Sequence, residues 1–327
     1  MAEPRWIGYE DAPALINWPD AISALRAGHA YPRAQVADVF LGPGEGSLLS
    51  RAAWIDGLGY GVKSVTVFGD NPQFGLPTVQ GAMQVFEPGR GVPKAIIESR
   101  LITELKTAAD SVLGATFLAR PDSTTLLIVG AGAVARSLVA AYAATFPTIK
   151  RIEVWARRLE QAEAFQRQVD VPGVDISTVT DLAAAASTAD IIASATMARQ
   201  PVLFGKWIRP GTHVDLIGAF KADMREADDD LISMASLYVD SRDTTINHIG
   251  ELLIPIASGV IDASAVRGDL YDLTTGKTKG RSAKEEVTVF KNGGGAHLDL
   301  MIAHYIVATV ERVDALDRGP TATAPFL

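Results

Sequence analysis

The stretch Thr125-Leu-Leu-Ile-Val-Gly-Ala-Gly-Ala-Val-Ala-Arg-Ser-Leu138 decides the fold class, because a short apolar run breaks into closely spaced glycines and then resumes with helical spacing. It reads as strand, tight turn and helix. Leu126 to Val129 is apolar at every position, as in a parallel strand buried on both faces. Gly130, Gly132 and Ala135 follow as G-x-G-x-x-A. That spacing permits a sharp turn, close approach of backbone to a pyrophosphate, and tight helix–strand packing. Ala131, Ala133 and Val134 complete a turn that leads phosphates to a helix N-terminus. Glycine-rich turns that bind nothing take the same form, so the surrounding pattern has to decide.

Downstream, Arg151–Trp155 reads as a strand, Glu160–Val169 and Thr178–Ala186 as helices, and Asp190–Ala195 and His213–Ile217 as strands. Strands alternating with helices imply right-handed parallel crossovers, hence an α/β, Rossmann-type doubly wound parallel sheet. In that context the glycines are expected to bind a dinucleotide. An NAD-preferring site places Asp or Glu roughly 20 residues beyond the glycines, on the ribose 2′-hydroxyl. Here the second strand ends in Val154-Trp-Ala-Arg-Arg158. With no acid there, Arg157 and Arg158 suit a 2′-phosphate, so NAD(P)H is expected, with NADPH favoured and NADH compatible. The alternative is that both arginines cap an exposed loop. Ser194-Ala195-Thr196 and Gly218-Ala219-Phe220 put small and polar residues at the carboxyl edge of the sheet, where open α/β sheets bind ligands. Ala195, Thr196, Gly218 and Phe220 are therefore expected beside the nicotinamide.

Upstream the pattern changes. Leu15, Ile22, Leu25 and Gly28 fit a short amphipathic helix around Asp20–Ala27. Between Gln35 and Ser99, strand-like runs (Val36–Leu41, Gly61–Phe68, Ala82–Phe86, Lys94–Glu98) alternate with Gly, Pro and Asn turns, predicting a smaller, antiparallel sheet. On Gly61–Phe68, Lys63 shares a face with Val65 and Val67. Either its stem lies on apolar surface with the ammonium in water, or it is a cation held in a cleft for an anion. Thr103–Leu118 reads as a helix with Lys106 at the border of its apolar stripe, the ordinary place of a solvated lysine. Ala119–Thr124 is a turn cluster and a domain boundary. Past Asp240–Asp243 a Gly-rich region leads to a last strand at Glu285–Phe290. A final helix, His297–Val313, is expected to pack away from the parallel sheet, and Arg318–Leu327 reads as a loose tail.

Composition limits the functional classes. The chain has 327 residues, a net charge of −8 and no cysteine. Acidity argues against general nucleic-acid binding, which needs clustered cations. Without cysteine there is no thiolate nucleophile or Cys-ligated zinc, and a reducing, cytoplasmic location is expected. There is no basic-then-apolar leader and no uncharged apolar run of about 18 residues, so no membrane span is expected. The histidines His29, His213, His248, His297 and His304 are scattered without a metal-ligand spacing.

Taken in order, Gly61-Val-Lys63, Thr66-Val-Phe-Gly-Asp-Asn-Pro72, Leu105-Lys106-Thr-Ala-Ala109, the glycine motif, Gln200-Pro-Val-Leu203, Arg209-Pro-Gly211, Gly218-Ala-Phe-Lys-Ala-Asp-Met-Arg-Glu226 and Glu286-Val-Thr-Val-Phe-Lys291 resemble the ornithine cyclodeaminase/mu-crystallin family over about residues 32–312. The resemblance implies nicotinamide-dependent imine chemistry and a homodimer. It implies a substrate and dimerisation domain (residues 1–118 with 297–327) beside a dinucleotide domain (119–296). By position, Lys63 matches the family's active-site lysine. Lys106 stands where an arginine usually grips the substrate carboxylate, and Arg51 or Arg33 could assist it. Cyclodeaminases and alanine dehydrogenases of the family carry an aspartate where this chain has Phe220. Without that base, amine oxidation is disfavoured and reduction of a preformed imine is favoured. Asp223 matches an aspartate of the mu-crystallin-like form, with a loop or cap role more natural. The expected activity is reduction of a small α-imino acid, with iminosuccinate and Δ1-pyrroline-2-carboxylate as candidates. Ornithine cyclodeamination and non-catalytic, mu-crystallin-like binding are the alternatives.

Overall fold

The structure, a computed structural model, describes residues 3–11, 17–43 and 46–317. Leu15 and the tail Arg318–Leu327 lie outside the described residues. Contacts divide the chain into two units, residues 1–17, 34–103 and 296–327, and residues 18–33 and 104–295. The sequence reading instead put the boundary after residue 118 and kept residues 18–33 with the first domain.

The first unit is a six-stranded sheet covered by a helix. Its strands are β1 (Arg5–Ile7), β2 (Gln35–Leu41), β3 (Ser47–Ile55), β4 (Gly59–Val67), β5 (Val79–Phe86) and β6 (Pro93–Glu98), in the order β1-β6-β5-β4-β3-β2. All neighbours are antiparallel except β1 and β6. β1 and β3 are not among the strand-like runs of the sequence; the three residues of β1 carry no readable period. The sheet's registers place Ile7, Ile97, Met83, Lys63, Arg51 and Asp38 in one row across the strands. The first three are buried hydrophobics and the last three are charged. The final helix Ala296–Asp317 lies on β2 to β5. Gly61 permits this approach, because a Cβ there would meet Met83 Cε at 2.6 Å and Leu300 Cδ1 at 2.9 Å.

The second unit is an eight-stranded, all-parallel sheet. Its strands are β7 (Thr125–Val129), β8 (Arg151–Trp155), β9 (Asp175–Thr178), β10 (Ile191–Ser194), β11 (His213–Leu216), β12 (Ser236–Val239), β13 (Val266–Asp269) and β14 (Thr288–Lys291). The order β13-β12-β14-β11-β10-β7-β8-β9 reverses direction between β7 and β10, which is the switch point where such sheets bind ligands. The helices are α1 (Trp18–Gly28), α2 (Ser99–Leu118, divided between the units), α3 (Ala133–Thr145), α4 (Leu159–Gln166), α5 (Leu182–Thr188), α6 (Asp229–Met234), α7 (Arg242–Thr245), α8 (Gly250–Ala257) and α9 (Leu270–Thr274). The helix of the first unit is α10. α1 packs on α3, which assigns residues 18–33 to this unit.

Three local readings are corrected. Thr178 ends a strand paired with Val154 rather than starting a helix, and α5 begins only after Asp181, whose side chain accepts from the Ala184 N–H as an N-cap. The last strand starts at Thr288, because Glu286 turns its carboxylate back onto the Ser282 and Ala283 amides. β13, α8 and α9 occupy the region that the sequence shows only as Gly-rich, and α6, β12 and α7 lie before it or at its start; each has eight residues or fewer and packs too briefly to leave a period. Among the described residues no helix is long and apolar enough to cross a membrane.

Candidate active site

In the second unit, Gly130 takes φ +115° and its N–H donates to Trp155 C=O at 2.8 Å. A Cβ on Gly130 would lie 2.7 Å from the Ala195 carbonyl, whereas one on Gly132 would meet nothing within 4 Å. The first glycine therefore makes the turn and the second leaves open space in front of the backbone. Gly132 is the N-cap of α3 and, as a glycine, brings no side chain to cap the first-turn amides. Those amides, with the positive end of a 13-residue helix behind them, suit a pyrophosphate. Ala131, Ala133 and Val134 line this open side, and Ala135 is fully buried against the sheet. The chain thus fits a dinucleotide on its own geometry.

The carboxyl edge continues through β10 and β11. Gly218 presses so closely on Thr196 that a Cβ would lie 1.9 Å from the Thr196 carbonyl oxygen. Gly130, Ala195, Thr196 and Gly218 are thus contiguous. Phe220, in contrast, is half exposed, with the Lys221 ammonium 5.5 Å from its ring centroid. Beyond β8, Arg157 and Arg158 are exposed, and among the described residues neither is ion-paired; Arg158 is the N-cap residue of α4.

Lys106 departs from the sequence reading. It is only 6% exposed, not solvated. Its Nζ sits over Gly294, where a Cβ would be 2.5 Å away and where φ is +71°. Asp240 accepts from the Gly293 and Gly294 amides at 2.9 and 2.5 Å and so holds that turn. Asp110, one turn along α2, is fully buried with neither carboxylate oxygen hydrogen-bonded. Burial and the negative charge of Asp240 push its carboxyl well up, with Lys106 opposing. Among the described residues the Lys106 ammonium makes no hydrogen bond, leaving a buried cation able to take an anion.

In the first unit, Lys63 is 6% exposed and its Nζ donates to Asp299 Oδ1 at 2.8 Å, with Oδ2 also at 2.8 Å. It therefore does not reach water along its stem. Arg51, directly opposite Lys63 across β3 and β4, is engaged by Asp38 through Nε at 3.0–3.1 Å and Nη2 at 2.7 Å. Arg33, in the second unit, pairs with Asp269 at 2.7 Å. Asp223 pairs with Arg199 on the surface, a loop contact.

Two acids at these sites were not singled out in the sequence. Asp299 lies between Leu298 and Leu300, both fully buried, and an acid inside an apolar helical run was the available signal. Glu226 was quoted only as part of a motif, yet it accepts from five donors at the edge of the parallel sheet.

Comparison with known proteins agrees with this layout. The model of the ornithine cyclodeaminase/mu-crystallin family matches residues 51–313. A Delta(1)-pyrroline-2-carboxylate reductase of Paracoccus denitrificans is 61% identical over 303 residues, 93% of this chain and 96% of the relative. The structure of Thermococcus litoralis Delta(1)-pyrroline-2-carboxylate reductase in complex with NADH and L-proline superposes with a TM-score of 0.88 at 29% identity, covering 95% of this chain and 98% of that one. An archaeal alanine dehydrogenase dimer with bound NAD superposes at 0.87 with 27% identity, covering both chains fully. The glycine turn and the parallel sheet are those of a nicotinamide-dependent oxidoreductase, and the chain belongs to the ornithine cyclodeaminase/mu-crystallin family.

Proposed function

We propose that this chain reduces Δ1-pyrroline-2-carboxylate to L-proline with NAD(P)H. The observation that carries the reading is the buried Lys63–Asp299 pair in a chain with no carboxylate at Phe220. Reducing C=N to CH–NH consumes a hydride at carbon and a proton at nitrogen. Gly130–Val134 would hold the pyrophosphate of a dihydronicotinamide coenzyme and Ala195, Thr196 and Gly218 its nicotinamide end, and the coenzyme, when bound, would supply the hydride. Lys63 holds the proton that the nitrogen takes up, and Asp299 holds its ammonium in place. Lys106 binds the substrate carboxylate as a point charge, without the two-donor fork of an arginine. Arg51 is engaged by Asp38, which disfavours a second substrate carboxylate and so favours the cyclic monocarboxylate over iminosuccinate. The 61% identity to a reductase of that name supports the same choice.

Arg157, exposed and not ion-paired among the described residues, suits a 2′-phosphate, so NADPH serves as well as or better than NADH. The edge strand β2, whose Val39, Phe40 and Leu41 are 48, 70 and 57% exposed, is the proposed contact between two copies in a homodimer. The cysteine-free composition suits a cytoplasmic location. Oxidation of NADH and of NADPH is followed with Δ1-pyrroline-2-carboxylate, iminosuccinate and ornithine. Turnover of the first with L-proline as product is expected; turnover of only the second or third overturns the assignment.

A further inference from the structure

We propose that Glu226 is a positioning residue for the nicotinamide half of the coenzyme, acting through the strand ends that it ties together. Its carboxylate is fully buried. Oε1 accepts from Ser194 Oγ at 2.6 Å and from Thr196 N and Oγ1, each at 2.7 Å. Oε2 accepts from Gly218 N at 2.6 Å and Ala219 N at 3.3 Å. One side chain thus joins the carboxyl ends of β10 and β11, two adjacent parallel strands. Only a carboxylate can receive five donors in this way, since an amide would turn an N–H2 toward backbone N–H groups.

The backbone of Glu226 is fixed in turn. Glu251, fully buried on α8, accepts from the Glu226 and Ala227 amides, each at 2.9 Å, while the Glu226 carbonyl accepts from Val202 and Leu203 at 2.8 and 2.9 Å. The clamp therefore belongs to the packed interior and leads outward to Thr196 and Gly218. These touch one another, and Ala195 abuts the glycine turn. The α3 N-terminus and Arg157, which serve the pyrophosphate and the adenosine ribose, share no hydrogen bond with Glu226. Loosening the clamp displaces one end of the coenzyme groove and leaves the other end in place.

The proposal rests on the dinucleotide reading but not on the identity of the imino acid, so its test uses binding without substrate. Affinities of Glu226→Gln, Glu226→Asp and wild type for NADH and for ADP-ribose, which lacks the nicotinamide, are measured by calorimetry. Glu226→Gln is expected to weaken NADH at least about tenfold and ADP-ribose less than about twofold, because buried donors lose their acceptor only at the nicotinamide end. Glu226→Asp, which keeps the charge, recovers part of the loss. Should Glu226→Gln fail to fold, Ser194→Ala removes one donor and is expected to weaken NADH about threefold with ADP-ribose unchanged. Equal losses for both ligands, or unaltered NADH affinity, overturn the proposal. Failure of wild type to bind either ligand overturns the dinucleotide reading beneath it.

Discussion

Lys63 and Asp299 lie 236 positions apart and meet side chain to side chain at 2.8 Å inside one unit. β4 supplies the cation and α10 the carboxylate, both almost fully buried. Removing one member of such a pair strands a charge in a poorly solvating interior. Lys63→Ala is expected to lower kcat by about 10²–10⁴-fold, the range of a lost proton donor. NADH affinity should stay within about twofold. Asp299→Asn should lower kcat less, by about 10–100-fold, and also lower the melting temperature. Steady-state kinetics with calorimetric NADH binding check both, and unchanged kcat in Lys63→Ala removes the residue from the mechanism.

Lys106 is expected to act on substrate binding. Its replacement by Ala should raise KM for the imino acid about 10–100-fold, the worth of one charged hydrogen bond, with a smaller change in kcat. Lys106→Arg should retain activity only if the space over Gly294, already filled by the ammonium, accommodates the larger fork. A KM that does not move in Lys106→Ala assigns the carboxylate to another group.

For the coenzyme, Arg157→Ala should raise KM for NADPH about tenfold and leave KM for NADH within about twofold, since only the former carries the 2′-phosphate. Parallel changes for both coenzymes would mean that Arg157 merely shapes the loop after β8.

Asp215 offers a pH-dependent stability test. It is fully buried on β11, accepting from Ser111 Oγ at 3.2 Å and Tyr142 Oη at 3.0 Å, and burial raises its carboxyl from 3.8 to about 7. Between those values the folded chain holds a proton that the unfolded chain has lost. The contribution is therefore complete below about pH 4 and lost as pH rises toward 7. His213, on the same strand and lowered by burial to about 3, tilts the curve the other way, losing stability as pH falls below 6.5. The observable is thus the difference between wild type and Asp215→Asn in urea unfolding. The variant should gain on wild type as pH rises from about 4 to about 7 and stay level above that; a constant difference contradicts the shift.

The β2 edge predicts the assembly state. Phe40→Asp places a charge on the most exposed residue of that strand's apolar group and should convert the proposed homodimer to monomer in sedimentation analysis, with the far-UV spectrum unchanged. A monomeric wild type, or a dimeric variant, places the contact elsewhere.

The glycine turn of the second unit and the parallel sheet around it were legible in the sequence because their signals are local. An all-apolar run, two glycines with forced spacing and small residues at strand ends each depend on a few consecutive positions, and together they specify strand, turn and helix before any packing is known. Lys63 was legible for a related reason, as alternation along one strand put it on the apolar face. Short elements such as β1, β9 and β13 were not, since three or four residues carry no period and exist only through their neighbours.

The chemistry around the lysines was decided by tertiary structure. No local rule pairs Lys63 with Asp299, engages Arg51 with Asp38, buries Lys106 over Gly294 or gathers five donors onto Glu226. Those outcomes depend on which charges lose water together, and that is set by registers and helix placements spanning the chain. By itself the sequence determined a dinucleotide turn on a parallel sheet and a lysine on an apolar strand face; only folding decided which carboxylate meets that lysine and which other cations are buried, because buried charge is governed by its partners in space.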